Sequence, residues 1–76
     1  MRLFARLRGE FGTGEKALEL RDGATLAELL DLVLRGRRPE GLIIAVNNKL
    51  VGDRPVEDLR LGDGDVVDIM PPASGG

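Results

Sequence analysis

The 76-residue sequence contains no cysteine and no histidine. Without cysteine no disulfide can staple the chain, and without either residue no Cys/His metal site can form. Catalysis by a Cys–His pair or a Ser–His–Asp triad is excluded too, because each needs a histidine. Lysine is scarce: Lys16 and Lys49 are the only two, so nine of the eleven basic residues are arginine. No apolar run approaches the roughly 20 residues that a helix needs to cross a bilayer. The opening Met1-Arg2-Leu3-Phe4-Ala5-Arg6 puts charge where the apolar core of a signal peptide belongs. These absences point to the cytoplasm. An excess of one charge is missing as well: the net charge is −2 with both signs interspersed, which argues against charge-driven nucleic-acid binding.

What is present suits one small domain. A chain of this size buries only about 60% of its unfolded surface, so its stability margin is thin. Residues 2 to 8 alternate, with Leu3, Ala5 and Leu7 on one side and Arg2, Phe4, Arg6 and Arg8 on the other. That period of two predicts a half-buried strand with Leu3, Ala5 and Leu7 toward the core. Gly9 to Gly14 reads as a turn, with Phe11 folding back over the core edge. Lys16 to Leu20 alternates again and closes a hairpin.

Thr25-Leu26-Ala27-Glu28 fits a capping box and opens a helix over Thr25 to Arg35. Leu26, Leu29, Leu30 and Val33 recur at helical spacing and predict one sheet-facing stripe. Asp31 and Arg35 stand four apart and can pair. Gly36 is the expected C-terminal cap, with Pro39 just beyond. Leu42 to Val46 is a third strand, Asn47-Asn48 a tight turn and Lys49 to Val51 the return strand. Pro55, Val56, Leu59 and Leu61 are expected to plug the open side of the core. Leu61-Gly62-Asp63-Gly64-Asp65 reads as a turn and Val66 to Met70 as the last strand, with Val67 and Ile69 inward and Val66, Asp68 and Met70 outward. The expected core is Leu3, Leu7, Leu18, Leu29, Val33, Ile44, Val67 and Ile69. Gly62-Asp63-Gly64 lacks the lysine and helix start of a phosphate-binding loop.

After Met70 come Pro71-Pro72-Ala73-Ser74-Gly75-Gly76. The prolines cannot extend a hydrogen-bonded ladder and favour an extended exit. Gly75 and Gly76 allow close backbone approach. From the residues alone two readings stand: a reactive end that threads into a partner's active site, or a frayed terminus or glycine scar. The expected division is one domain over residues 1–70 and a flexible tail over 71–76.

Several stretches together resemble a known family. Leu3-Phe4-Ala5-Arg6-Leu7-Arg8 is similar to its opening strand, which carries an aromatic-alanine pair. Asp22-Gly23-Ala24-Thr25-Leu26-Ala27-Glu28-Leu29-Leu30 resembles its helix entry, and Ala45-Val46-Asn47 its central hairpin. Leu61 to Val67 resembles the stretch before its last strand. The ending, with Ala73 where valine is usual, is the most specific part. The family is that of the MoaD-like small subunits of molybdopterin synthase, sulfur carriers of the ubiquitin-like β-grasp superfamily. The resemblance covers nearly the whole chain.

The resemblance implies an α+β fold of the ubiquitin-like β-grasp type, a mixed sheet with one main helix packed on one face. It implies a chain that is not an enzyme on its own and binds no cofactor. The Gly76 carboxylate is then the reactive group, with Gly75 beside it. A MoeB-like adenylating enzyme spends ATP to join it to AMP, and a sulfur nucleophile displaces AMP to leave a thiocarboxylate. The large catalytic subunit uses that sulfur to build the molybdopterin dithiolene, in a heterotetramer of two small and two large subunits.

Docking needs a surface. Alternation and the adjacency of first and last strands in such a fold put Phe4 and Met70 on the outer sheet face, in mutual reach, joined by Ile43 and Ala45. Pro71, Pro72, Ala73 and Ser74 are expected to thread into the partner. Arg6 and Arg8 either rim the patch or only solubilise the strand, and Phe4 has the alternative of being an ordinary exposed aromatic. Related carriers serving thiamine synthesis, cysteine synthesis or transfer-RNA thiolation share fold and tail. So do protein modifiers that join Gly76 to a lysine, and a plain interaction or RNA-binding domain is a third class.

Overall fold

A computed structural model of the chain describes residues 1–8, 14–36 and 41–71. Its strands are β1 (Arg2–Leu7), β2 (Gly14–Glu19), β3 (Ile43–Val46), β4 (Lys49–Leu50) and β5 (Val66–Met70), with a helix α1 (Leu26–Leu34) between β2 and β3. A short 3-10 turn, Val56–Asp58, lies in the connection to β5. The five strands form one sheet in the order β2-β1-β5-β3-β4. β1 and β5 run parallel at its centre, and every other pair is antiparallel.

The inward face follows from the alternation of β1. Leu3, Ala5 and Leu7 are buried, as expected, and meet Val67 and Ile69 of β5 and Ile44 of β3 against the helix. The helix adds Leu26, Leu29, Leu30 and Leu34. Leu34, rather than Val33, completes the buried stripe, because Val33 lies at its edge and is only half-buried. Leu18 is likewise half-buried, since β2 is an edge strand with a neighbour on one side only. Val51 and Leu61 are buried and Val56 and Leu59 pack against the core, but Pro55 is exposed and plugs nothing.

The helix is stopped at both ends by local chemistry. Thr25 is the extended N-cap residue, and its hydroxyl accepts from the Glu28 N–H at 3.4 Å while the Thr25 N–H donates to the Glu28 carboxylate at 2.8 Å. At the other end Arg35, not Gly36, takes the first left-handed position, with φ 51° and ψ 51°, and its N–H donates to the Asp31 carbonyl at 3.2 Å. Gly36 follows at φ 88° and continues the reversal. The expected Asp31–Arg35 side-chain pair is absent from the ion pairs among the described residues. The turn that reverses the chain displaces Arg35 from the helical position four residues on. Phe11 and Pro39 lie outside the described residues.

Asn47 and Asn48 both have positive φ, 51° and 70°, as a two-residue hairpin turn demands. The turn fixes the return strand: Val46 faces Lys49 and Ala45 faces Leu50.

Candidate functional site

The face of the sheet opposite the helix is assembled from the outward residues of all five strands. The first cross-strand row holds Ala17, Phe4 and Val66. The second runs through all five strands: Glu15, Arg6, Asp68, Ala45 and Leu50. Met70 and Ile43 make the third, at the end where β5 leaves the sheet. Apolar atoms thus cover the β5–β3–β4 side, with Met70 half-buried, Ile43 37% exposed and Leu50 70% exposed.

Phe4, Ile43, Ala45 and Met70 all lie on this face, as alternation predicts, but Phe4 and Met70 are not neighbours. In the parallel β1–β5 pair Phe4 is opposite Val66, four residues before Met70. Four strand residues span about 13 Å. The expectation had the strand adjacency right, but alternation alone carries no register. Beside Met70 on the β1 side the chain has reached Arg8, whose N–H donates to the Ile69 carbonyl at 3.1 Å. Met70 and Ile43 therefore form one apolar unit and Phe4 another, with the Arg6–Asp68 row between them.

Leu50 is a member of this face that the strand-by-strand reading missed. Its signal was in the sequence: a two-residue Asn47-Asn48 turn pairs Ala45 with Leu50, so an outward Ala45 implies an outward Leu50. Asp68 points outward as expected yet is only 9% exposed. A central strand is covered from both sides, by Arg6 and Ala45 across the ladder, so alternation gives the face but not the exposure.

Two β1 arginines on this side approach carboxylates of β2. Arg2 meets Glu19 at 3.1 Å and Arg6 approaches Glu15 at 4.0 Å. At the helix entry the Arg21 guanidinium donates two hydrogen bonds to Glu28, at 2.8 and 2.9 Å. Those bonds hold the Glu28 carboxyl below its usual range, helped by the Thr25 N–H, and raise Arg21 in return.

The exit of β5 is the second part of the site. Pro71 is half-buried directly after Met70 and carries the chain off the sheet between β1 and β3. Pro72, Ala73, Ser74, Gly75 and Gly76 lie outside the described residues. No helix among the described residues is long and apolar enough to cross a membrane.

A mixed five-stranded sheet with a parallel central pair, one helix across it and the chain end issuing from a central strand defines a ubiquitin-like β-grasp domain. The chain belongs to the ThiS family, which matches residues 1–76. It is 36% identical over 78 aligned positions to the molybdopterin synthase sulfur carrier subunit of Chlamydomonas reinhardtii, covering 96% of this chain and 92% of that one. Among solved structures, the putative molybdopterin converting factor subunit 1 of Pyrococcus furiosus superposes with a TM-score of 0.73 at 25% identity, over 95% of this chain and 98% of that one. SAMP1 of Haloferax volcanii reaches 0.78 at 17% identity with both chains fully covered, a likeness of fold. One chain of a complex of subunits 1 and 2 of the molybdopterin-converting factor of Helicobacter pylori matches in fold at 0.70 and 24% identity, with this chain and that chain fully covered.

Proposed function

We propose that this chain is the sulfur carrier subunit of a molybdopterin synthase and works in the cytoplasm, with Gly76 as its reactive end. The likeness that carries this is the 36% identity to a sulfur carrier subunit over 96% of the chain. The chemistry is consistent with the composition. With no cysteine, the chain has no thiol on which to hold sulfur, and the C-terminal carboxylate is the group that can be converted into a donor.

A free carboxylate is a poor acyl donor, because a nucleophile has to expel an oxide. A MoeB-like enzyme removes that obstacle: a Gly76 carboxylate oxygen attacks ATP, pyrophosphate leaves, and the acyl-adenylate has AMP as its leaving group. A sulfur nucleophile then attacks the acyl carbon and expels AMP, which leaves the thiocarboxylate. The large synthase subunit takes that sulfur for the dithiolene of molybdopterin, and Gly76 returns to a carboxylate. The catalytic groups belong to the partners, and residues 1–70 serve as a handle whose outer face docks while residues 71–76 reach into the acceptor's site. Two such chains and two large subunits make the assembly.

Intact-mass spectrometry of the full chain after incubation with the adenylating enzyme, ATP and a sulfur donor tests this. The expected product is heavier by the replacement of one oxygen by sulfur, and it supports dithiolene formation when mixed with the large subunit. A chain that appears only as conjugates to lysine would overturn the carrier reading in favour of a protein modifier. A thiocarboxylate that the large subunit ignores would move the chain to another sulfur-carrier pathway.

A further inference from the structure

Asp68 stands in the middle of the outer sheet face, only 9% exposed, and its Oδ1 has no hydrogen-bond partner. Ala45, its neighbour on β3, has no side-chain donor. Arg6, its neighbour on β1, approaches Glu15 instead at 4.0 Å, and no ion pair among the described residues includes Asp68. The apolar side of the face, Met70, Ile43, Ala45 and Leu50, begins beside it. The core makes no use of this carboxylate, which is on the side of the sheet away from the helix.

We infer that Asp68 is a specificity-determining contact, and that it receives a basic side chain, arginine or lysine, from the protein that docks on this face. The inference rests on the functional reading above, which supplies the docking partner. A partner that covers the face strips the water that still reaches the rim of the carboxylate. An ionised group left unpaired in such a place opposes docking strongly, and a cationic donor offsets that loss where an apolar surface cannot. Asp68 therefore favours a partner that presents a cation among apolar groups and rejects one whose surface is wholly apolar or acidic.

The test is titration calorimetry of the full chain with the purified large subunit of a molybdopterin synthase, at low and at high salt. Asp68→Asn and Asp68→Ala are each expected to weaken binding at least about tenfold and to flatten its salt dependence. The melting temperature of Asp68→Ala should not fall, because that change removes a buried unpaired acceptor. Asp31→Asn, which neutralises an exposed carboxylate on the helix across the sheet, should keep the wild-type affinity. Wild-type affinity in both Asp68 variants, with Met70→Ala weakened, would show a docking face without a cation on Asp68 and overturn the inference alone. Equal and non-additive losses at Arg6 and Asp68 would make Arg6 the donor and overturn it as well. Failure of the wild-type chain to bind the large subunit would overturn the docking part of the functional reading, and the inference with it.

Discussion

The Asn47 side-chain amide donates to the Asp65 carboxylate at 2.9 Å, and this bond ties the β3–β4 turn to the start of β5. The same side chain accepts from the Val66 N–H at 3.0 Å, while the Asn47 N–H donates to the Val66 carbonyl at 2.8 Å. Asp65 in turn accepts from the Gly62 N–H at 2.7 Å, and its carbonyl accepts from Phe4 at 3.0 Å. One asparagine therefore holds the hairpin, the last turn and β1 in a common register. That register sets which residues share a row on the outer face.

Asn47→Gly keeps the positive φ and loses the latch, and is expected to cost about 1 kcal/mol, the net worth of exposed hydrogen bonds. Asn47→Ala loses the latch and adds a left-handed backbone that alanine resists, for about a further 1 kcal/mol. Urea denaturation should rank the chains wild type, then Gly, then Ala. A glycine variant as stable as wild type would leave the latch without energetic weight.

The same turn marks how far the sequence could be read. The Asn47-Asn48 pair announced a tight hairpin through its tolerance of positive φ, and Thr25 with Glu28 announced the helix start. Both are local signals that need no knowledge of the rest of the fold. The second role of Asn47, reaching Asp65 eighteen residues on, is invisible in local pattern. So is the offset of β5 against β1. Their adjacency follows from the fold that the resemblance implied, whereas the pairing of Phe4 with Val66 depends on where the 61–65 turn grips Arg2. There the Gly64 N–H donates to the Arg2 carbonyl at 2.7 Å and the Arg2 N–H donates to Asp63 at 2.7 Å.

Those grips bear on the docking proposed for the outer face. Phe4 and Met70 occupy rows about 13 Å apart along the strands, with the Arg6–Asp68 row between them. Residues that share no contact add nearly independently, within roughly 0.3–0.5 kcal/mol. If both sit under the large subunit, each alanine substitution should cost more than about 1 kcal/mol of affinity, and the double substitution should cost their sum. Arg8→Ala should cost much less. A coupling well above the additive limit would mean that the two side chains meet in the complex, against the register of the free chain.

A pH dependence is attached to the helix entry. Glu28 has its carboxyl pKa lowered in the folded chain, first by the Arg21 bonds and then by the Thr25 N–H. A depressed carboxyl contributes stability that is fully present above the unfolded value of about 4.3 and is lost as pH falls through the lower folded value. Glu28→Gln keeps a side chain able to answer the N-cap but carries no titrating charge. Its melting temperature should therefore fall less than that of wild type between about pH 6 and pH 3. Equal slopes for the two chains would remove Glu28 as a source of acid sensitivity.

The length of the tail is itself open to test. Pro71 leaves the sheet at a fixed place, after a strand pinned on both sides, so the count of residues from Met70 to Gly76 sets the reach of the carboxylate. Deleting Gly76, or adding one glycine after it, moves that carboxylate by about 3.5 Å. Reacting atoms must come within about 3–3.5 Å of each other, and a 1 Å misplacement can cost about a hundredfold in rate. Either change is expected to abolish adenylation or sulfur transfer. The described core ends at Ile69, so both variants should melt as wild type does. Their affinity for the large subunit should also survive in the part contributed by the sheet, lowered only by what the tail adds. Intact mass after the adenylation and sulfur-transfer mixture reads the chemistry, and calorimetry reads the docking. A lengthened chain that gained sulfur as fast as wild type would show that the adenylating enzyme does not measure the tail from the sheet, and Gly76 would lose its assigned place as the positioned reactive end.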